Sequence, residues 1–142
     1  MDLPSQTMRW TVLSVGRLRP PYADDIDHYR GLLRRYATVE VVEVREDDAV
    51  ARRIPERSFV SLLADRGEAM DTMAFSRWVQ RRREAAIDVC FVIGGAYGLE
   101  LPEADHRLSL GPLTMPHQLA RVVLLEQLYR AHRILAGEPY HH

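Results

Sequence analysis

Cysteine is almost missing from the sequence: Cys90 stands alone, so no internal disulfide can form. Its neighbours in VCFVI are apolar, the setting of a buried inert thiol rather than a nucleophile. Paired cysteines or histidines at ligand spacing are missing too, so no metal site is expected. No apolar run approaches the roughly 20 residues that a membrane helix needs, and the opening MDLPSQTM lacks the basic start and apolar centre of a secretory signal. These absences favour a soluble cytoplasmic chain with no membrane anchor. Charge of one sign is also lacking, since 19 basic residues face 20 acidic ones for a net charge of -1. That balance argues against binding naked nucleic acid through the overall field. Arginine carries the positive charge in clusters (Arg17 and Arg19, Arg34 and Arg35, Arg52 and Arg53, Arg81 to Arg83), which leaves room for a local basic face or for solvated helix surfaces. The glycines of IGGAYGL do not follow G-x-G-x-x-G spacing and open no long helix, which argues against a dinucleotide cofactor.

What is present is enough for one domain: 142 residues, 46% of them hydrophobic. Residues 8–15 alternate apolar and polar positions up to Gly16 and read as a strand. After the Pro20–Pro21 turn, Ile26, Tyr29, Leu32, Leu33 and Tyr36 recur at helical spacing over 22–36, with acids first and bases last. TVEVVEV (38–44) is a second strand, and the charged stretch 46–58 with Pro55 admits at most a short helix. FVSLLA (59–64) is a third strand, with a turn expected at Asp65, Arg66 and Gly67. A helix from Asp71 or Thr72 to about Ala86 is expected to turn Met73, Phe75, Trp78 and Val79 inward. A buried strand (89–93), a glycine turn (Gly94, Gly95, Gly98), a short strand (107–110), a tight loop (111–115) and a long helix (116–136) stopped by Gly137 complete an α/β pattern.

The last helix carries Leu119, Val122, Val123, Leu124, Leu125, Leu128, Ile134 and Leu135, more than one stripe facing a sheet requires. A second copy of the chain packed across a two-fold axis would cover the remainder, so a homodimer through this helix is expected, with Leu124 and Leu125 as its test positions. Two loops leave the carboxyl ends of apolar strands, where open α/β sheets bind ligands. Glycines there let a ligand approach the backbone, and LGPLTM offers main-chain groups with few charges nearby, a cradle suited to a neutral ring such as adenine. His117 shares a side of the helix with Arg121, and Glu126 with Arg130, the latter pair reading equally as an i, i+4 ion pair. Tyr140 and His141 follow the helix and could fold back as hydrogen-bonding groups.

At IGGAYGL, at LSLGPLTMPHQLARVVLLEQLYRA and at GEPYHH, in that order, the sequence resembles the ribosomal RNA large subunit methyltransferase H family. These are small SPOUT-class enzymes that methylate N3 of a pseudouridine in 23S ribosomal RNA. The resemblance implies an α/β fold with a mostly parallel central sheet, helices on both faces and a C-terminal trefoil knot. It also implies S-adenosylmethionine as cofactor, 23S ribosomal RNA within the ribosome as partner, and a homodimer. By position, Leu63, Gly94, Leu110, Gly111, Pro112, Leu113, Thr114 and Met115 would contact the cofactor. His117, Arg130, Tyr140 and His141 match family positions beside the active site or in the tail expected over the substrate; the proton would go to His141, to Glu126 or to an electrostatically activated water, with Arg130 stabilising the forming anion. The segment between Val44 and Phe59 is shorter than the family pattern, and Tyr97 stands where a smaller, acidic or amide residue is usual. A non-catalytic RNA- or ribosome-binding homodimer of the same fold is the alternative that these motifs leave open.

Overall fold

The computed structural model describes residues 8–139. In chain order they form β1 (Arg9–Val15), α1 (Tyr22–Leu33), β2 (Thr38–Val44), a single 3-10 turn (Asp47–Ala49) running into α2 (Val50–Arg53), β3 (Phe59–Ala69), α3 (Thr72–Ala85), β4 (Val89–Ile93), β5 (His106–Ser109) and α4 (His117–Leu135). The five strands make one sheet in the order β2-β1-β4-β3-β5, every pair parallel. Parallel strands need crossovers that cover both faces, and β4, the central VCFVI, is buried along its whole length. On one face Trp10, Val12, Phe91 and Ile93 pack under Ile26 and Leu33 of α1, Phe75, Trp78 and Val79 of α3, and Leu124, Leu125 and Leu128 of α4. The other face is covered more thinly, by Val50 of α2 and by Leu101 over Leu13, Val60, Cys90 and Val92.

Four local expectations change. α1 closes at Leu33 and not Tyr36; the chain leaves it through a turn in which Tyr36 N–H donates to the Leu33 carbonyl. β5 starts one residue earlier and ends at Ser109. Met73 faces solvent at 52% exposure, because it lies two residues before Phe75 and so about 200° round the helix from it. The expected turn at Asp65 to Gly67 lies inside β3, where Leu63 and Glu68 both pair with Leu108 and the residues between them bulge out. Gly67 permits the bulge to lie against β5: a Cβ there would stand 2.7 Å from the backbone of Arg107 and Leu108. The strand then resumes, tied down by His106 Nε2 and Glu68 Oε1 at 2.9 Å.

α4 also divides differently. Leu124, Leu125 and Leu128 are fully buried inside the protomer, so they hold the fold and cannot report on a dimer. The outward side carries Leu119, Val122, Val123, Glu126 and Arg130, grouped on one face at about 100° per residue. β5 lies at the sheet edge, yet α4 starts beside β1, where Arg121 donates to the Val15 carbonyl at 2.9 Å. The segment 110–116 therefore crosses the carboxyl ends of β3 and β4. That crossing is consistent with the C-terminal knot.

Candidate functional site

The crossing segment, the bulge of β3 and the glycine turn after β4 enclose a cavity of about 550 Å³ at the carboxyl ends of the strands. Leu63, Ala64 and Asp65 form one wall, Gly94, Gly95 and Gly98 a second, and Leu110, Gly111, Leu113, Thr114 and Met115 a third. His117 and Ala120 of α4 close it. Most of the lining residues are apolar or glycine, and Asp65 is the acid among them. Such a surface suits a flat neutral ring beside a polar group, and the volume is that of a small-molecule site. Gly94 shapes the wall through close packing, since a Cβ there would lie 2.8 Å from Gly98 and Leu99. A larger residue would thus displace the turn itself, and not merely fill the cavity.

Seven of the eight residues expected at a cofactor come together here; Pro112 alone does not line the cavity. Asp65 was missed because the turn reading placed it outside the strand, although an acid at the carboxyl end of an apolar parallel strand is a recognisable signal; Ala64 was read as the strand's last residue and not as a lining one. Of the residues expected to serve the reaction, His117 alone lines the cavity among the described residues. Burial first, then the nearby Arg121 and Arg19, holds its imidazole below the usual histidine range, so it is neutral at pH 7. Arg121 is 1% exposed and donates to the carbonyls of Val15 (2.9 Å) and Gly16 (3.0 Å), with Glu43 at 3.7 Å. Gln118, also missed, donates to the Arg17 carbonyl (2.8 Å) and accepts from Arg19 N–H (3.1 Å). Together they clamp the loop after β1 beside His117.

Glu126 and Arg130 lie farther along α4 and pair with each other, Arg130 Nη2 to Glu126 Oε2 at 2.9 Å. Arg130 is about 20 Å from His117 along the helix axis, so it does not reach its own cavity. Tyr140 and His141 lie outside the described residues. One further hydrogen-bonded chain joins Ser61 Oγ to His106 Nδ1 (2.8 Å) and His106 Nε2 to Glu68 (2.9 Å). Ser61 is completely buried, so this chain ties β3 to β5 and offers no nucleophile. Among the described residues no cluster of His, Cys, Asp or Glu could hold a metal, and no helix is long and apolar enough to cross a membrane.

A family model described as "Predicted SPOUT methyltransferase" matches residues 8–141. Curated relatives named ribosomal RNA large subunit methyltransferase H include one from Gemmatimonas aurantiaca, 44% identical over 94% of this chain and 99% of its own length. Another, from Geobacter metallireducens, is 37% identical over 95% of this chain and 99% of its own length. A solved methylase family protein from Neisseria gonorrhoeae shares the fold at a TM-score of 0.52 and 11% identity, over 100% of this chain and 88% of its own.

Proposed function

Because the chain belongs to the SPOUT methyltransferases, and among them to the ribosomal RNA large subunit methyltransferase H family, we propose that it methylates N3 of a pseudouridine in 23S ribosomal RNA on the assembled ribosome, using S-adenosylmethionine. The observation that carries the reading is the cavity, whose walls are the three segments in which a methyl donor was expected. Bound there, the cofactor supplies an electrophilic methyl carbon. Leu63, Leu110 and Met115 would hold its adenine between apolar walls, main-chain groups of 110–115 would bond the ring edge, and Asp65 would accept from the ribose hydroxyls.

The geometry favours a reaction centre shared by two copies of the chain. α4 runs about 27 Å from His117 beside the cavity to Leu135, and its far end carries the tail that leads to Tyr140 and His141. From Leu135, five residues to Tyr140 extend no more than about 17 Å, too short to return to their own cavity. The outward face of α4 that a second copy can cover, Leu119, Val122 and Val123, also bears Arg130. Packing two such faces antiparallel brings the Arg130 and tail of one copy to the cavity of the other. In that centre His141 would accept the imide proton, and Arg130 would stabilise the negative charge left on the ring nitrogen as it takes up the methyl group. Alignment is the main contribution, since holding the two partners in line is worth several kcal/mol, up to about 7–11 in ideal cases.

The test is methyl transfer from labelled S-adenosylmethionine to ribosomes lacking the modification, with the product nucleoside identified by mass spectrometry. A label at N3 of a pseudouridine supports the reading, another nucleoside redirects it to another RNA target, and no label together with no calorimetric binding of S-adenosylmethionine supports the binding-module alternative. Asp65 is exposed, so Asp65→Ala is expected to keep the fold and to weaken cofactor binding roughly tenfold, the scale of one charged hydrogen bond.

A further inference from the structure

The chain leaves α4 through Gly137, Glu138 and Pro139, and this short exit is held by groups that the reaction itself does not use. Tyr36, just past α1, donates its phenol to Glu138 Oε1 at 2.5 Å, while Arg133 Nη1 donates to the same phenol at 3.4 Å. Arg133 also donates to the Pro139 carbonyl, and the guanidinium groups of Arg133 and Arg35 each stand 3.9 Å from Glu138 Oε2. Glu138 N–H donates to the Arg133 carbonyl at 3.0 Å, which closes the exit against the last helical turn. The Tyr36 ring is fixed in turn, 6.0 Å from Tyr129 and 6.5 Å from His132, with Arg35 over its face at 5.4 Å. The Tyr36 hydrogen bond first, then Arg133 and Arg35, holds the Glu138 carboxyl below the usual carboxylate range, so it is ionised at neutral pH. Tyr140 follows two residues beyond this carboxylate, so at about 3.4 Å per residue its reach is limited to about 7 Å from the point at which Glu138 is held.

We propose that Tyr36, Arg133 and Glu138 form a latch that sets the direction in which the C-terminal tail leaves the molecule, and that they act as positioning residues for Tyr140 and His141 in the cavity of the second copy. This rests on the shared reaction centre proposed above. The latch joins two elements distant in sequence, so the end of α1 takes part in a reaction whose atoms lie on another subunit. Its groups sit at the amino-terminal edge of the sheet, the edge opposite the methyl-donor cavity, and touch neither cofactor nor acceptor. Their effect is therefore expected in the rate of transfer and not in cofactor affinity.

Two measurements on the full-length protein test it. Tyr36→Phe keeps the ring and removes the phenol, and Glu138→Ala removes the acceptor. In each, amide hydrogen exchange of residues 137–142, read by mass spectrometry, is expected to quicken roughly 3- to 10-fold, the range of one net hydrogen bond. kcat on ribosomes should fall at least several-fold with the Kd for S-adenosylmethionine and the dimer unchanged, Glu138→Gln should recover part of it, and the double variant should be no worse than Glu138→Ala, because both remove one interaction. Unchanged exchange would overturn the latch, and quicker exchange with wild-type kcat would overturn its positioning role. A wild-type protein with a protected tail and no activity on ribosomes would instead sink the functional reading while leaving the latch in place.

Discussion

His132 lies beneath the sheet's main core at 2% exposure, its ring edge-on to Trp10 and its Nδ1 2.8 Å from the Leu128 carbonyl. Burial drives its pKa from 6.5 down to about 4. The unfolded chain therefore binds a proton between those values that the folded chain refuses, so stability falls as pH drops through this window, by about 3 kcal/mol in all. Urea melts of the wild type against His132→Gln are expected to show this slope flattened in the variant; parallel curves would count against it. Cys90 shows the same physics with the opposite group: burial raises its thiol to about 12. Iodoacetamide at pH 8 should leave it unmodified in the native protein and label it fully in urea, whereas rapid native labelling would contradict its placement in the sheet. At Arg121 burial is tolerated because two carbonyls and Glu43 surround the guanidinium.

At the scale of elements, α4 packs one side against the sheet and offers the other to the second copy proposed above. Leu125 is fully buried against the sheet, and Leu125→Ala is expected to destabilise the protomer by about 2–5 kcal/mol, a loss read as a lower urea midpoint. Val123 is only half-buried, so Val123→Asp should leave that midpoint nearly unchanged and shift sedimentation from dimer to monomer. A Val123→Asp protein that still sediments as a dimer would move the interface off α4. In β3 the bulge between Leu63 and Glu68 has a comparable double use, since the strand keeps its pairing with β5 while Ala64 and Asp65 of the bulge line the cavity.

For the whole molecule, a centre drawn from two chains predicts complementation. Assayed at S-adenosylmethionine concentrations well below the variant's Kd, Asp65→Ala protomers leave the donor site largely empty and Arg130→Ala protomers lack the partner group, so each homodimer should transfer methyl groups poorly. Mixed and re-dimerised, half the dimers are mixed and each of those keeps one whole centre, so roughly a quarter of wild-type activity should return. No recovery would place Arg130 and the cavity in the same subunit. The net charge of -1 would suit the docking on an assembled particle proposed above, where shape supplements phosphate contacts.

Periodicity and glycine placement were enough to read the α/β class, the order of the elements and two of the cavity's three walls, the wall at Leu63 coming from the family resemblance, because a strand's alternation, a helix's stripe and a turn's glycine are local properties of the backbone. VCFVI could hardly be anything but a central strand, and LGPLTM between a strand and a helix marked a ligand loop. The chain alone could not show that Asp65 belongs to a bulge and not a turn, since that depends on β5 pairing again with Glu68. Nor could it separate Leu125 from Val123, both apolar on one helix, until the sheet had chosen the face it would cover. The latch was equally illegible, for Tyr36 and Glu138 lie 102 positions apart and meet only because α1 and α4 end at the same edge of the fold. Local pattern thus determined what each segment became; which side chains share a site was decided by how the segments pack, because packing alone brings distant residues within bonding range.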